Sequence, residues 1–302
     1  MKHTEQKSIR FGKWLRLVLP VLLLAAALSC FFPAGHSFWE GLLAKAGFSH
    51  FAAGLSENEL HIHVIDVGKA DAILIESPDA ALLVDTGTKA SAETVLAYLA
   101  ERGVESLDAV WISHSDSDHS GGLEAITARV EAKEIVHSAY AVMPETGIQD
   151  KIVQPGETHQ YGKLVLEVLA PGRAFDEEND NSLVFRLRYG DFTMLFCGDI
   201  EAEAEAALLE TAEDLHADVL KAAHHGSDTS TSAEFLAAVS PEYAVISVGE
   251  DRNDLPRNAV LKRLRDAGVM YYRTDTDGTV VVSTDGARID ILTENTGAAA
   301  GD

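Results

Sequence analysis

His114-Ser-Asp116-Ser-Asp118-His119, followed by Ser-Gly-Gly, places two imidazoles and two carboxylates within six residues. The run comes directly after the apolar stretch 107–112, which reads as a buried strand. Four metal-capable side chains at a strand end are poorly explained by packing. Imidazole mixed with carboxylate suits Zn, Mn or Fe.

Working outward, three other segments set polar groups just past apolar runs: Leu83-Val-Asp85-Thr-Gly87, Phe196-Cys-Gly198-Asp199 and Lys221-Ala-Ala-His224-His225-Gly-Ser227. Alone, Asp85-Thr-Gly and Gly198-Asp199 read equally well as turns, and His224-His225 as a surface pair. Together with the six-residue run they form a set that accident explains badly, because loops beyond strand ends are where such folds build sites.

The surrounding pattern is α/β. Strands are predicted over 61–66, 73–76, 81–84, 107–113, 163–169, 182–189, 192–197, 217–223, 243–248, 270–274, 279–283 and 287–292. Helices are predicted over 91–102, capped by Ser91 and stopped by Gly103, and over 122–130, 201–212, 232–239 and 258–267. Gly190-Asp191 and Asp285-Gly286 signal hairpins. A meander, then alternating strands and helices, then a closing hairpin imply two sheets with helices outside, a layered α/β sandwich.

Of the 302 residues, 46% are hydrophobic, ample for a core, while the formal net charge is −24. The first 33 residues carry Lys2, Lys7, Arg10, Lys13 and Arg16 against Glu5, a net of +4, which leaves −28 on the rest. Such a surface repels polyanions, so an anionic substrate needs local positive charge. Bound metal ions are one source; Arg186, Arg188, Lys221, Arg252 and Arg257 read first as ordinary solvated surface and, as the sharper alternative, as a local cationic rim. Two cysteines, Cys30 and Cys197, exclude a disulfide framework or a thiolate metal site, and Cys197 reads as a small buried hydrophobe.

Residues 17–32 carry no charge and follow the basic stretch, so 1–33 reads as a signal peptide or membrane anchor, with a lipoprotein site at Cys30 as a third reading. Each puts the remainder outside the cytoplasm. The organisation expected is a linker over 34–58, a globular domain over 59–294 and a flexible tail over 295–302. Nothing points to an obligate oligomer.

The Asp-Thr-Gly turn, the His-x-Asp-x-Asp-His run, the lone later Asp199 and the late His-Gly resemble, in order, the motifs of the metallo-β-lactamase superfamily over about residues 60–292. The resemblance implies a four-layer αβ/βα sandwich, preceded here by the N-terminal hydrophobic segment, with two divalent metal ions (Zn or Mn) at one edge. Asp66-Val-Gly-Lys-Ala-Asp71, Asp116 where most members carry His, Asn179-Asp-Asn181-Ser-Leu-Val184 and His224-His225-Gly-Ser227 are most similar to the metallo-hydrolase domain of ComEC-type DNA-uptake proteins. Teichoic-acid phosphorylcholine esterases share the Asp-for-His exchange. Lys69-Ala70 departs from that motif's Gln-Gly, and Leu255 stands where the motif carries a substrate-contacting His.

Carried over by position, the resemblance gives one ion His114, Asp116 and Asp199, and the other Asp118, His119, Asp199 and His225. Asp118 would accept the proton, His224 would face the substrate oxygen, Asp85 would orient a ligand imidazole, and Asn181 is a doubtful ligand. The activity implied is hydrolysis by a hydroxide bridging the two ions, on a phosphodiester, single-stranded DNA included. Alternatives are a hydrolase of wall-linked phosphoesters or lactones, and a non-catalytic metal-stabilised binding module.

Overall fold

The computed structural model describes residues 55–56, 58–249 and 254–295. Residues 1–33, nearly all of the 34–58 linker, Arg252 and the tail beyond 295 lie outside them. Among the described residues no helix is long and apolar enough to cross a membrane.

The strands are β1 (Leu60–Val64), β2 (Ile73–Ser77), β3 (Ala80–Val84), β4 (Ser106–Leu107), β5 (Ala109–Trp111), β6 (Glu131–Ala132), β7 (Glu134–Ser138), β8 (Gln149–Val153), β9 (Thr158–Tyr161), β10 (Leu164–Ala170), β11 (Val184–Tyr189), β12 (Phe192–Phe196), β13 (Val219–Lys221), β14 (Tyr243–Ile246), β15 (Met270–Arg273), β16 (Val280–Thr284) and β17 (Ile289–Thr293). The helices are α1 (Ala92–Arg102), α2 (Leu123–Thr127), α3 (Ala202–Thr211), α4 (Ala233–Val239), α5 (Asn258–Asp266) and the single turn α6 (Thr274–Asp277).

One sheet runs β17-β16-β1-β2-β3-β5-β7-β8 and the other β15-β14-β13-β12-β11-β10-β9, with β4 and β6 a small separate pair. Strand alternation sorts the side chains. In β10, Leu164, Leu166 and Val168 point between the sheets, while the residues between them are only half-buried. The inner faces of both sheets share one core, in which Phe185 and Phe196 stack with centroids 4.8 Å apart. A second core joins the outer face of the seven-stranded sheet to α3, α4 and α5, and a third joins the other outer face to α1 and α2. The layers are therefore helix, sheet, sheet, helix.

Both predicted hairpins form, with Tyr189 paired to Phe192 and Thr284 to Ile289. Three details differ from expectation. Residues 107–113 do not make one strand: Asp108 separates β4 from β5, its carboxylate accepting the Ala81 N–H at 3.0 Å. The Ser91 hydroxyl turns back to the Thr88 carbonyl rather than capping α1. Strands β7, β8 and β9 occupy a stretch with no predicted element. β8 and β9 are edge strands of polar composition, largely exposed or half-buried, so they lack the alternating apolar pattern that marks a strand.

Candidate metal centre

The parallel pairs β3/β5 and β12/β13 bring four chain segments to one edge of the sandwich. Asp85 follows β3, His114 to His119 follow β5, Asp199 follows β12, and His224 and His225 follow β13. Asp71, in the β1–β2 connection, joins them, its N–H donating to the Asp118 carbonyl at 3.0 Å.

Each buried imidazole is fixed through one nitrogen. His114 Nδ1 lies 3.0 Å from Ser113 Oγ, whose own proton goes to Asp85 Oδ2 at 2.8 Å, so the imidazole is the donor. His119 Nδ1 donates to Asp85 Oδ2 at 2.9 Å, and His225 Nδ1 donates to the Ser247 carbonyl at 2.9 Å. In all three the Nε2 atom is buried and makes no hydrogen bond, as is Asp199 Oδ1. Buried polar atoms are nearly always satisfied, so four such atoms together need an explanation. A metal ion supplies it: an imidazole whose Nδ1–H is held by a carboxylate or carbonyl offers its Nε2 lone pair to a cation.

The ligand-capable atoms gather accordingly. His114, His119 and Asp199 form one group with ligand atoms within 4.8 Å of one another, and Asp118, His119 and His225 form a second. Asp199 lies between them, Oδ1 3.2 Å from His119 Nε2 and Oδ2 3.5 Å from His225 Nε2. A third group, Asp71, Asp85 and His119, faces the Nδ1 side of His119; Asp85 is engaged by hydrogen bonds and Asp71 Oδ2 by Lys221, while Asp71 Oδ1 makes no hydrogen bond. The residues present fit a resident cation.

Electrostatics agree. Burial alone would raise the Asp199 carboxyl, yet His119 and His225 outweigh it and hold it well below the usual carboxylate range. Burial would lower His119, but Asp199 and Asp85 outweigh it and raise it well above an ordinary imidazole. The pocket thus demands positive charge at this spot, a proton or a metal ion in its place. Asp118 is likewise held low: burial pushes it up, and His225, His119 and Lys69 outweigh that. His114, buried and beside His119, is lowered and stays neutral.

The remaining candidates are placed as follows. Asp116 stands at the rim, its side chain 45% exposed and Oδ2 3.8 Å from His114 Nε2, outside the three groups. His224 Nε2 lies 4.0 Å from Asp199 Oδ2, and its Nδ1 lies 3.0 Å from Glu201 Oε1. Asp85, with Ser113 and His119 as its partners, sits behind the buried imidazoles of His114 and His119. Asn181 is turned away from the cluster: its Oδ1 accepts the Phe175 N–H, and its Nδ2 donates to the Phe175 and Glu177 carbonyls. Its amide oxygen and nitrogen are both engaged in shaping that loop. Leu255 adjoins Pro256, which is in close contact with Gly226 beside His225.

The cationic rim needs correction. Lys221 is 1% exposed with its ammonium 2.8 Å from Asp71 Oδ2. Arg186 is buried between Glu167 and Asp214. Arg188 lies four residues along β11 from the end nearest the cluster and faces Glu167. A surface cavity of about 930 Å³ lies on the outer face between β10 and α3, lined in part by Arg186, and contains none of the cluster residues. Cys197 is fully buried, and burial pushes its thiol up.

Several supporting residues escaped the sequence reading. Ser113 links Asp85 to the imidazoles of His114 and His119. Ser182 Oγ accepts the Asp199 N–H at 3.1 Å, and Asp180 Oδ1 accepts the Glu201 N–H at 2.6 Å, so the Asn-rich segment props Asp199 and the start of α3. Gly198, at φ 52°, allows the turn; a Cβ there would stand 2.8 Å from Ser182 Cβ and 2.9 Å from Ser113 Cβ. The Asp71–Lys221 pair joins residues too far apart in sequence to suggest each other, although Asp71 closes a motif the sequence displays.

Two helix-flanked sheets with a His/Asp cluster at their shared edge define a layered α/β sandwich carrying a candidate metal centre. The sequence profile of the metallo-beta-lactamase superfamily matches residues 65–250, and the chain belongs to that superfamily. Its fold binds divalent metals, and most of its members are metallo-hydrolases. The chain is 35% identical over 295 residues to competence protein ComA of Neisseria gonorrhoeae, covering 90% of this chain and 41% of that protein. It is 28% identical over 272 residues to ComE operon protein 3 of Bacillus subtilis, covering 80% and 35%. The chain thus spans well under half the length of these relatives. Among solved structures, the metallo-beta-lactamase fold protein YhfI from Bacillus subtilis superposes with a TM-score of 0.53 at 17% identity, over 75% of this chain and 100% of that one. The chain is a member of this largely hydrolytic superfamily and is related to competence proteins.

Proposed function

We propose that this chain is a metal-dependent phosphodiesterase acting outside the cytoplasm, with single-stranded DNA as its leading substrate. The observation that carries the reading is the set of four buried ligand atoms without hydrogen bonds, His114 Nε2, His119 Nε2, His225 Nε2 and Asp199 Oδ1. The names of the competence relatives support the choice of DNA. The basic, then apolar N-terminal sequence supports attachment to a membrane.

His114, Asp116 and Asp199 would hold one ion, and Asp118, His119, Asp199 and His225 the other, as Zn or Mn. When bound, divalent ions supply Lewis acidity and make a water acidic enough to ionise near neutral pH. The chain's own residues do the rest. Asp85 and the Ser247 carbonyl lock the imidazoles of His119 and His225. Asp118, kept ionised by its neighbours, accepts a proton. His224, with its Nε2 towards the cluster, contacts the scissile group's oxygen.

Turnover of bis-nitrophenyl phosphate by the metal-loaded full chain, and its loss in Asp199→Ala, tests the hydrolase. Full activity in that variant would overturn the shared-ligand assignment. Cleavage of single-stranded DNA then separates a nuclease from an enzyme of wall-linked phosphoesters or lactones. Metal binding without turnover of any ester would leave the non-catalytic module.

A further inference from the structure

We propose that Lys69 is the residue that meets the anionic oxygen of the substrate, a phosphate-binding cation built into the rim of the His/Asp cluster. The inference deepens the phosphodiesterase reading and rests on it. The molecule poses the problem itself: a domain bearing −28 must bring an anion to an edge lined by carboxylates.

Among the described residues, two ammonium groups form ion pairs with carboxylates of the cluster, Lys221 with Asp71 and Lys69 with Asp118. Lys221 is sealed in the core at 1% exposure and cannot reach a ligand. Lys69 differs. Its Nζ lies 2.6 Å from Asp118 Oδ2, yet its side chain is 25% exposed. It therefore touches both a ligand carboxylate and solvent. Asp118 Oδ2 is itself 3.6 Å from His225 Nε2, which places the ammonium beside the second ligand group.

The backbone under Lys69 is held from two sides. The Asp71 N–H donates to the Asp118 carbonyl at 3.0 Å, and the Ala70 N–H donates to the Gly68 carbonyl at 2.9 Å. Gly249 packs so closely on this turn that a Cβ there would stand 2.5 Å from Gly68 Cα. The turn is thus fixed against both the metal-ligand run and the loop after β14, and it delivers a cation to one spot. An ammonium on a four-carbon stem can bind a phosphate oxygen as a point charge while its base stays put.

The test uses inorganic phosphate as probe on the metal-loaded full chain, by calorimetry, with metal content measured on the same samples. Lys69→Gln is expected to bind phosphate about tenfold more weakly at unchanged metal content, the loss of one charge-assisted contact. Lys69→Arg is expected to stay within about threefold of the parent, because the charge is kept. Unchanged phosphate affinity in Lys69→Gln overturns the proposal. So does a fall in metal content that accounts for the weaker binding, which would make Lys69 a prop for Asp118 alone. Absence of phosphate binding to the parent protein overturns it as well. Lys69-dependent phosphate binding without hydrolysis of any phosphodiester instead removes the catalytic reading and leaves the anion site standing.

Discussion

Replacing Lys221 by Met would leave the Asp71 carboxylate buried without its main counter-charge. The two groups are 2.8 Å apart, with side chains 1% and 2% exposed. At an effective dielectric near 20, two unit charges at that distance attract by about 6 kcal/mol. Part of this survives the change, because His225 and His119 stand 3.8 and 3.9 Å from the same carboxylate. Breaking a buried pair by deleting one partner costs roughly 3–5 kcal/mol, and the two imidazoles favour the lower end, about 3 kcal/mol. For a domain of this size that lowers Tm by roughly 6–12 °C. Met keeps the length and most of the packing, so the cost is electrostatic. Urea unfolding at pH 7, at fixed metal concentration, measures it. The double variant Lys221→Met with Asp71→Asn should recover at least about 2 kcal/mol of the loss, because the stranded charge is gone. The pH dependence carries a second signature. Burial would raise Asp71, but Lys221 first, then His225 and His119, hold it below the usual range. Its contribution in the parent is therefore complete above the ordinary carboxylate pKa and is lost as pH falls towards the depressed one. Without Lys221 burial wins, the carboxyl takes up a proton more readily, and the two stability curves approach each other in acid. A single-variant cost below about 1 kcal/mol, or strict additivity in the double variant, would refute the reasoning.

Other outcomes follow from individual contacts. Asp85→Asn keeps a residue tolerant of φ 56° but loses the charge that fixes His119, so metal affinity by competition titration should fall about 10–100-fold with the fold intact by circular dichroism. Asp180→Ala removes the acceptor for the Glu201 and Ala204 N–H groups at the start of α3 and should cost about 1 kcal/mol in urea unfolding. His61, lowered from 6.5 to about 4 by burial first and then by His63 and Arg102, stays neutral in the fold and takes up a proton on unfolding. Its contribution should be full above pH 6.5 and fade as pH falls towards 4, by about 1 kcal/mol between pH 7 and 5 after solvent screening, and His61→Gln should flatten that slope in paired urea titrations.

The His/Asp run was legible as metal-capable because its members are close in sequence and follow an apolar strand. Asp199 and His225 were legible for the same reason, each just beyond a buried strand. Asp71–Lys221 was hidden, since only the pairing of sheets brings the β1–β2 connection against the end of β13. The same blindness misjudged Lys221 and Arg186 as surface cations: a Lys or Arg in a strand is normally solvated, and only the three-dimensional partners Asp71, Glu167 and Asp214 make burial tolerable. Asn181, a doubtful ligand by its position in the family pattern, has its amide closing a loop through Phe175 and Glu177. Strands β8 and β9 went unseen because edge positions bury too little to impose a pattern.

The ligand atoms are split between the two sheets: His114 to His119 hang from the eight-stranded one, Asp199 and His225 from the seven-stranded one. An ion seated among them is therefore a clasp as well as a reagent. It has no place to bind until both halves are docked, so its affinity is spent entirely on the assembled state, adding roughly 2.7 kcal/mol at a hundredfold excess over its dissociation constant. Withholding metal should then let the sandwich gape more often at that edge. Chelation should loosen amide protons along β5 and β12 together, far more than those of the outlying β8 or β15.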